Sequence, residues 1–151
     1  MARVLLFDSS LSVVSKVLYS VDAAVGRGGA NRRDDVLLVQ FFLKVISEAI
    51  PDFQPDGIAP LPTTGTWATM SQAYLDRYIQ VENERNPDSL LVVDGRVDPM
   101  VSGTLTGSIS GTIYTMAALN RRFQFARSDE ALDDITTDPL FPAELRSSLK
   151  I

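Results

Sequence analysis

The stretch Asp34-Asp35-Val36-Leu37-Leu38-Val39-Gln40-Phe41-Phe42-Leu43-Lys44-Val45-Ile46 leaves this chain few ways to fold. Val36, Val39, Leu43, Ile46 and Ile50 step by three and four, and Leu38, Phe42, Val45 and Ala49 form an adjoining row. The period is helical, and only Gln40, Lys44, Ser47 and Glu48 break it with a narrow polar stripe. A helix apolar around most of its circumference has to be covered on several sides. The spacing therefore predicts a buried central helix running to about position 50. Asn31 is its expected N-cap, and Asp34 and Asp35 fall in the first turn, where carboxylates meet unpaired N–H groups and the positive end of the dipole. The preceding Gly26-Arg27-Gly28-Gly29 is not followed by the Lys-Ser/Thr pair of a phosphate loop. It reads as a tight turn into the helix.

Cover for such a helix has to come from the rest of the chain. At 151 residues and 45% apolar, one domain with its own core is expected, in residues 1–124. Residues 125–151 form a tail that docks on that domain or on a partner. Cysteine and histidine are both absent. Disulfides, thiolate metal sites, Ser-His-Asp and Cys-His catalysis and His-ligated zinc are thereby excluded. No cofactor is expected. A net charge of −5 counts against nucleic acid as a partner. Val4-Leu5-Leu6-Phe7 is too short for a signal-peptide core or a membrane span. The expectation is synthesis in the cytoplasm without a signal peptide, a route open to a component of a virion or secreted particle.

Residues 4–7 suit a short strand or an apolar plug, and residues 12–25 allow a helix by spacing and a strand by their β-branched content. Prolines at positions 51, 55, 60 and 62 make a non-helical loop. A second helix is predicted from about 66 to 83, with Trp67, Met70, Tyr74, Tyr78 and Val81 in one apolar row and Thr69, Gln72, Asp76 and Gln80 on its wet side. The apolar run 90–93 followed by Asp94-Gly95 has the form of a tight hairpin. Residues 101–112, rich in Gly, Ser and Thr, make a loop or weak hairpin. Ile113, Met116, Ala117, Leu119 and Phe123 mark a third helix. Ser128 caps a short helix after it, and Pro142 suits the start of another.

Together these pieces resemble a peptidoglycan-binding-like domain, a three-helix module of cell-wall-binding proteins. Its Asp-Val-x-x-x-Gln-x-x-Leu pattern is matched by Asp35-Val36, Gln40 and Leu43. Its next turn and helix are similar to Asp56-Gly57, Gly65-Thr66, Ala73 and Tyr78-Ile79-Gln80. Asp94-Gly95-Arg96-Val97-Asp98-Pro99 resembles its Asp-Gly-x-x-Gly-Pro turn, with Asp98 in place of Gly, and Thr115 to Leu119-Asn120 resembles its closing Thr-x-x-x-Leu-Asn. The resemblance covers residues 25–123. It implies a mostly α fold, a three-helix bundle with short β-hairpin turns and an extended C-terminal tail. It also implies a non-catalytic module that binds peptidoglycan or a related glycan.

Sugar rings stack on aromatic faces while a few polar groups set their orientation. The candidate ligand residues are Trp67 and Tyr74 on the second helix with Asp94 and Arg96 in the neighbouring turn. Trp67 and Tyr74 also fit a core row. The alternative is a structural or adaptor subunit of a phage tail or contractile injection assembly, holding protein partners through residues 101–112 and 125–151. Carboxylate catalysis by Glu48 or Glu82 with Asp76 or Asp94 would need a desolvated acid, and these glutamates read as solvated, so no enzyme is expected. Arg27, Arg32, Arg33, Arg121, Arg122 and Arg127 would form one basic patch if the first and third helices lay side by side.

Overall fold

The computed structural model describes residues 2–7, 16–100 and 113–149. Expectations for residues 8–15, the Gly/Ser/Thr segment 101–112 and residues 150–151 lie outside the described residues. The fold is mostly helical. Helix α1 (Arg33–Ala49) is its axis, with Asp35, the apolar run through Leu43 and then Val45, Ile46 and Ser47 all buried. Helices α2 (Thr69–Arg85) and α3 (Thr115–Ala126) pack against it. At the α1–α3 contact, Phe41 lies 5.6 Å from Phe42, 5.7 Å from Phe123 and 5.3 Å edge-on from Phe141. Phe42 meets Phe123 edge-on at 5.2 Å. Edge-to-face aromatic pairs at these separations add to what area burial alone contributes.

The start of α1 differs from expectation. Its N-cap position is Arg32, which makes no side-chain cap, while Asn31 adopts a left-handed φ of 50°. Asn31 instead accepts the Gly26 N–H at 2.7 Å and donates to the carbonyls of Gly26 and Gly29. A short amide that tolerates the left-handed region is better used closing the turn than capping the helix. Asp35 is buried and accepts the N–H groups of Asp22 and Ala23 at 2.8 and 3.1 Å.

Burial, outweighing those two bonds, lifts the Asp35 carboxyl above its ordinary value of 3.8. The native state therefore takes up its proton before the unfolded chain does as pH falls. The stability linked to Asp35 is greatest at acid pH, and it declines as pH rises from the unfolded value through the raised folded one. Each tenfold difference in proton affinity is worth about 1.4 kcal/mol. Urea unfolding of wild type and Asp35→Asn from about pH 3 to pH 7 checks this. Wild type should lose ground to the variant as pH rises, and a relative stability that climbs with pH would contradict the assignment.

Two further polar side chains brace the core. Gln40, placed by periodicity in a polar stripe, is buried. Its Oε1 accepts the Gly65 N–H at 2.9 Å, and its Nε2 donates to the Thr66 carbonyl at 3.0 Å and Ser71 Oγ at 3.1 Å. It fastens the end of the Pro-rich loop and the first turn of α2 onto α1. Asn120 accepts the Tyr19 N–H and donates to the Tyr19 and Met116 carbonyls, each at 2.8 Å. Glu82, expected to be solvated, is 3% exposed. Arg122 donates to both its oxygens, at 2.6 and 3.1 Å. The Arg122 guanidinium also lies over the rings of Phe53 and Phe125, at 5.4 and 5.6 Å from their centres.

The undecided stretch before α1 is β structure where described. Strand β1 (Arg3–Phe7) pairs antiparallel with β2 (Lys16–Ser20), from Arg3 opposite Ser20 to Phe7 opposite Lys16. Strand β3 (Val25–Gly26) pairs antiparallel with β4 (Arg96–Val97). The tight hairpin predicted over residues 90–99 is thus not formed as such: Asp94-Gly95 leads into β4, whose partner lies before α1. Asn83 binds both the N–H and the carbonyl of Leu91, at 2.7 and 3.1 Å, and withdraws those groups from a local hairpin. Gly26 and Gly95 both have positive φ, and a Cβ at Gly26 would run into the Gly95 carbonyl. The approach requires glycine.

The C-terminal segment is not extended where it is described. Ser128 Oγ accepts the Ala131 N–H and caps α4 (Asp129–Asp133). Two 3-10 turns follow, Ile135–Thr137 and Ala143–Ser147, the second beginning beyond Pro142. Leu132, Ile135, Phe141 and Leu145 are buried against the α1–α3 core. No helix among the described residues is long and apolar enough to cross a membrane.

Candidate ligand-binding ledge

The β3–β4 ladder brings the turn at Gly95 beside the first turns of α2. There, Gln72 is the organising side chain. Its Oε1 accepts the indole N–H of Trp67 at 3.0 Å, and its Nε2 donates to the Gly95 carbonyl and to Asp76 Oδ1, both at 2.9 Å. Arg27, one residue beyond β3, donates its backbone N–H to the same Gly95 carbonyl at 3.0 Å and its Nη2 to Asp76 Oδ2 at 3.1 Å. Asp94 Oδ1 accepts the Arg96 N–H at 3.0 Å, which sets the turn. Arg96 Nε lies 2.9 Å from Asp98 Oδ1 without hydrogen-bond alignment. A side chain at Gly95 would collide with Arg27, Gln72 and Asp76.

Three of the four anticipated ligand residues therefore belong to or flank this network: Trp67 through Gln72, and Asp94 and Arg96 as the chain neighbours of Gly95. Trp67 is half-buried and lies just before α2, which begins at Thr69 rather than near 66. Asp94 and Arg96 are half-buried in the adjacent turn. Tyr74 is not with them: it is 1% exposed, and its hydroxyl donates to the Ala59 carbonyl at 2.8 Å. Burial is the first reason its phenol is raised above its ordinary value of 10.0. Its ring belongs to the core row that the spacing also allowed.

Arg27 is the member of the ledge that sequence reasoning missed, because a two-residue ladder joining positions so far apart leaves no periodic trace. The i, i+4 spacing of Gln72 and Asp76 on the wet face of α2 was the available signal for the others. Here an indole held by Gln72 is joined, through that amide, to the Gly95 turn and to the Arg27–Asp76 ion pair. Such a surface can stack on an apolar or sugar face and hydrogen-bond at its margin.

Other candidate groups are committed elsewhere. Glu48 pairs with Lys44 at 2.9 Å, and Glu82 with Arg122. Of the six arginines considered for a basic patch, Arg27, Arg33, Arg122 and Arg127 each meet a carboxylate, on Asp76, Glu144, Glu82 and Asp138. No group of His, Cys, Asp or Glu able to hold a metal ion occurs among the described residues. No protein-family model, curated protein or solved structure matches the chain.

Proposed function

We propose that the protein is a non-catalytic binding module of the peptidoglycan-binding-like type, taking a cell-wall glycan on the Trp67–Gly95 ledge. The observation that carries this reading is the single Gln72 amide, which ties the Trp67 indole to the Gly95 turn, where Asp94 and Arg96 flank the glycine, and to Asp76, which Arg27 also holds. The motif residues behind the family resemblance support it differently. Asp35, Gln40 and Asn120 are buried braces, so they argue for an architecture and leave recognition to the ledge.

The test is co-sedimentation with purified sacculi. Trp67→Ala should weaken binding about tenfold, the loss of one stacked aromatic contact and its buried area. Trp67→Phe, which keeps a ring and loses the indole N–H, should retain part of it. Unchanged sedimentation of Trp67→Ala, with circular dichroism showing an intact fold, would remove the ledge from glycan binding.

A second reading, an adaptor subunit of a phage tail or contractile injection assembly, has its own support. Leu90, Val92 and Val93 are exposed in sequence succession around the buried Leu91, Val93 at 82%. Apolar side chains in such a row suit contact with another protein surface. Val93→Asp should then disrupt co-purification with the native assembly and leave sacculus binding unchanged. Loss of sacculus binding alone would favour the glycan reading.

A further inference from the structure

A cleft of about 430 Å³ opens between the β1–β2 hairpin and the C-terminal segment, well away in sequence from the ledge. Val4, Val17 and Leu149 supply apolar lining, and Asp133, Asp134 and Arg146 supply charged lining. Most polar groups in it are engaged. The Tyr19 hydroxyl donates to the Asp133 carbonyl at 3.2 Å and accepts the Ile135 N–H at 3.4 Å. Asp134 Oδ1 accepts from the N–H and hydroxyl of Thr136 at 3.1 and 2.6 Å. Arg146 donates to the Thr136 carbonyl at 3.1 Å and lies 5.7 Å over the Phe141 ring. The Asp133 carboxylate has no hydrogen-bond or ion-pair partner among the described residues.

We infer that this cleft receives a lysine side chain of a partner protein, its methylenes along Val4, Val17 and Leu149 and its ammonium at Asp133 and Asp134. Charge complementarity selects the occupant. Among the described lining residues two carboxylates outnumber one guanidinium that already has partners, and the chain's net charge of −5 adds attraction at longer range. An anionic ligand would face both aspartates. A compact ammonium on a four-carbon stem can meet Asp133 while keeping clear of Arg146, whereas the wide planar fork of an arginine would press against that like charge. Lysine also suits the two-part lining, since its stem takes apolar surface and its head takes the charged groups. The volume is within the range of specific ligand sites and leaves room for an apolar residue beside the lysine. This site is independent of the glycan reading.

Isothermal titration of the full chain with the blocked pentapeptide acetyl-Gly-Leu-Lys-Leu-Gly-amide tests the inference. Peptides with norleucine or glutamate at the centre, and free pentylamine, are the comparison probes. The lysine peptide should bind, more weakly as salt is raised. Norleucine or glutamate should weaken it about tenfold or more, which corresponds to about 1.4 kcal/mol. Pentylamine should bind more weakly than the peptide. Asp133→Asn, whose side chain holds nothing else, should reproduce the norleucine loss, and Val17→Trp should fill the cleft and abolish binding. Equal affinity for the norleucine peptide, equal affinity for pentylamine, or no binding of the lysine peptide to folded protein would each overturn it.

Discussion

Arg122→Met is expected to lower the unfolding free energy by about 3 kcal/mol, because it strands the Glu82 carboxylate in the core. Glu82 is 3% exposed, and Arg122 supplies both of the short contacts that hold its charge. Asn86 Nδ2 remains within 3.0 Å of Oε2 and cannot replace a cation. A typical domain has only about 5–15 kcal/mol to lose, so this one change removes a large fraction. The side-chain hydrogen bond to Glu82, followed by burial's smaller opposing effect and the carboxylate's charge, raises the Arg122 pKa, as a cation held by its partner should. Arg122→Lys should recover part of the loss, since an ammonium keeps the charge but not the two-pronged geometry or the stacking on Phe53 and Phe125. Pairing Arg122→Met with Glu82→Gln should restore most of the stability. If the double variant were as unstable as Arg122→Met alone, buried charge would not be the cause. Urea midpoints at constant m-value give the comparison.

Phe41→Ala should cost about 4 kcal/mol, the middle of the range for deleting a buried aromatic ring and leaving its cavity. The ring is fully buried and touches Phe42 on its own helix, Phe123 on α3 and Phe141 in the C-terminal segment, so α3 and that segment lose a common neighbour. Phe41→Leu should cost less, about 1.5 kcal/mol, because the volume is better conserved. The distinctive expectation concerns Phe141, whose segment is held to α1 partly through this edge-on contact. Amide exchange of residues 135–147 should quicken in Phe41→Ala more than that of α2. Uniform acceleration across the molecule would mean that the segment unfolds only with the whole.

The apolar pattern of residues 36–50 was enough to place α1 at the centre, because near-complete encirclement leaves a signature along one short stretch. Ser128 was equally legible, since a cap acts within three residues of itself. What pattern reading lost were polar side chains that leave the solvent. Gln40 and Glu82 count as wet in any hydrophobic period, yet each is buried because a specific partner from a distant segment satisfies it. Asn31 was assigned to the wrong neighbour: residue type indicated a local hydrogen bond, and backbone conformation decided that it went to Gly26 and Gly29. Asp94-Gly95 was recognised as a turn, but a turn signal carries no address for the strand that follows it. For the ledge, the sequence offered an indole and a charged turn, and only the fold could add Arg27 and remove Tyr74.

The pairing of β3 with β4 and the grip of Asn120 on Tyr19 bear on how the protein is born at the ribosome. Tyr19 and Asn120 are 101 positions apart, and the hydrogen bonds between them lie in the core. At a synthesis rate of about 5–20 residues per second, β2 and β3 wait several seconds for their partners to leave the exit tunnel. Until then the apolar surface of α1 has no complete cover, so the nascent chain is a natural client for holding chaperones, and a stall in translation before Asn120 would release a fragment prone to aggregate.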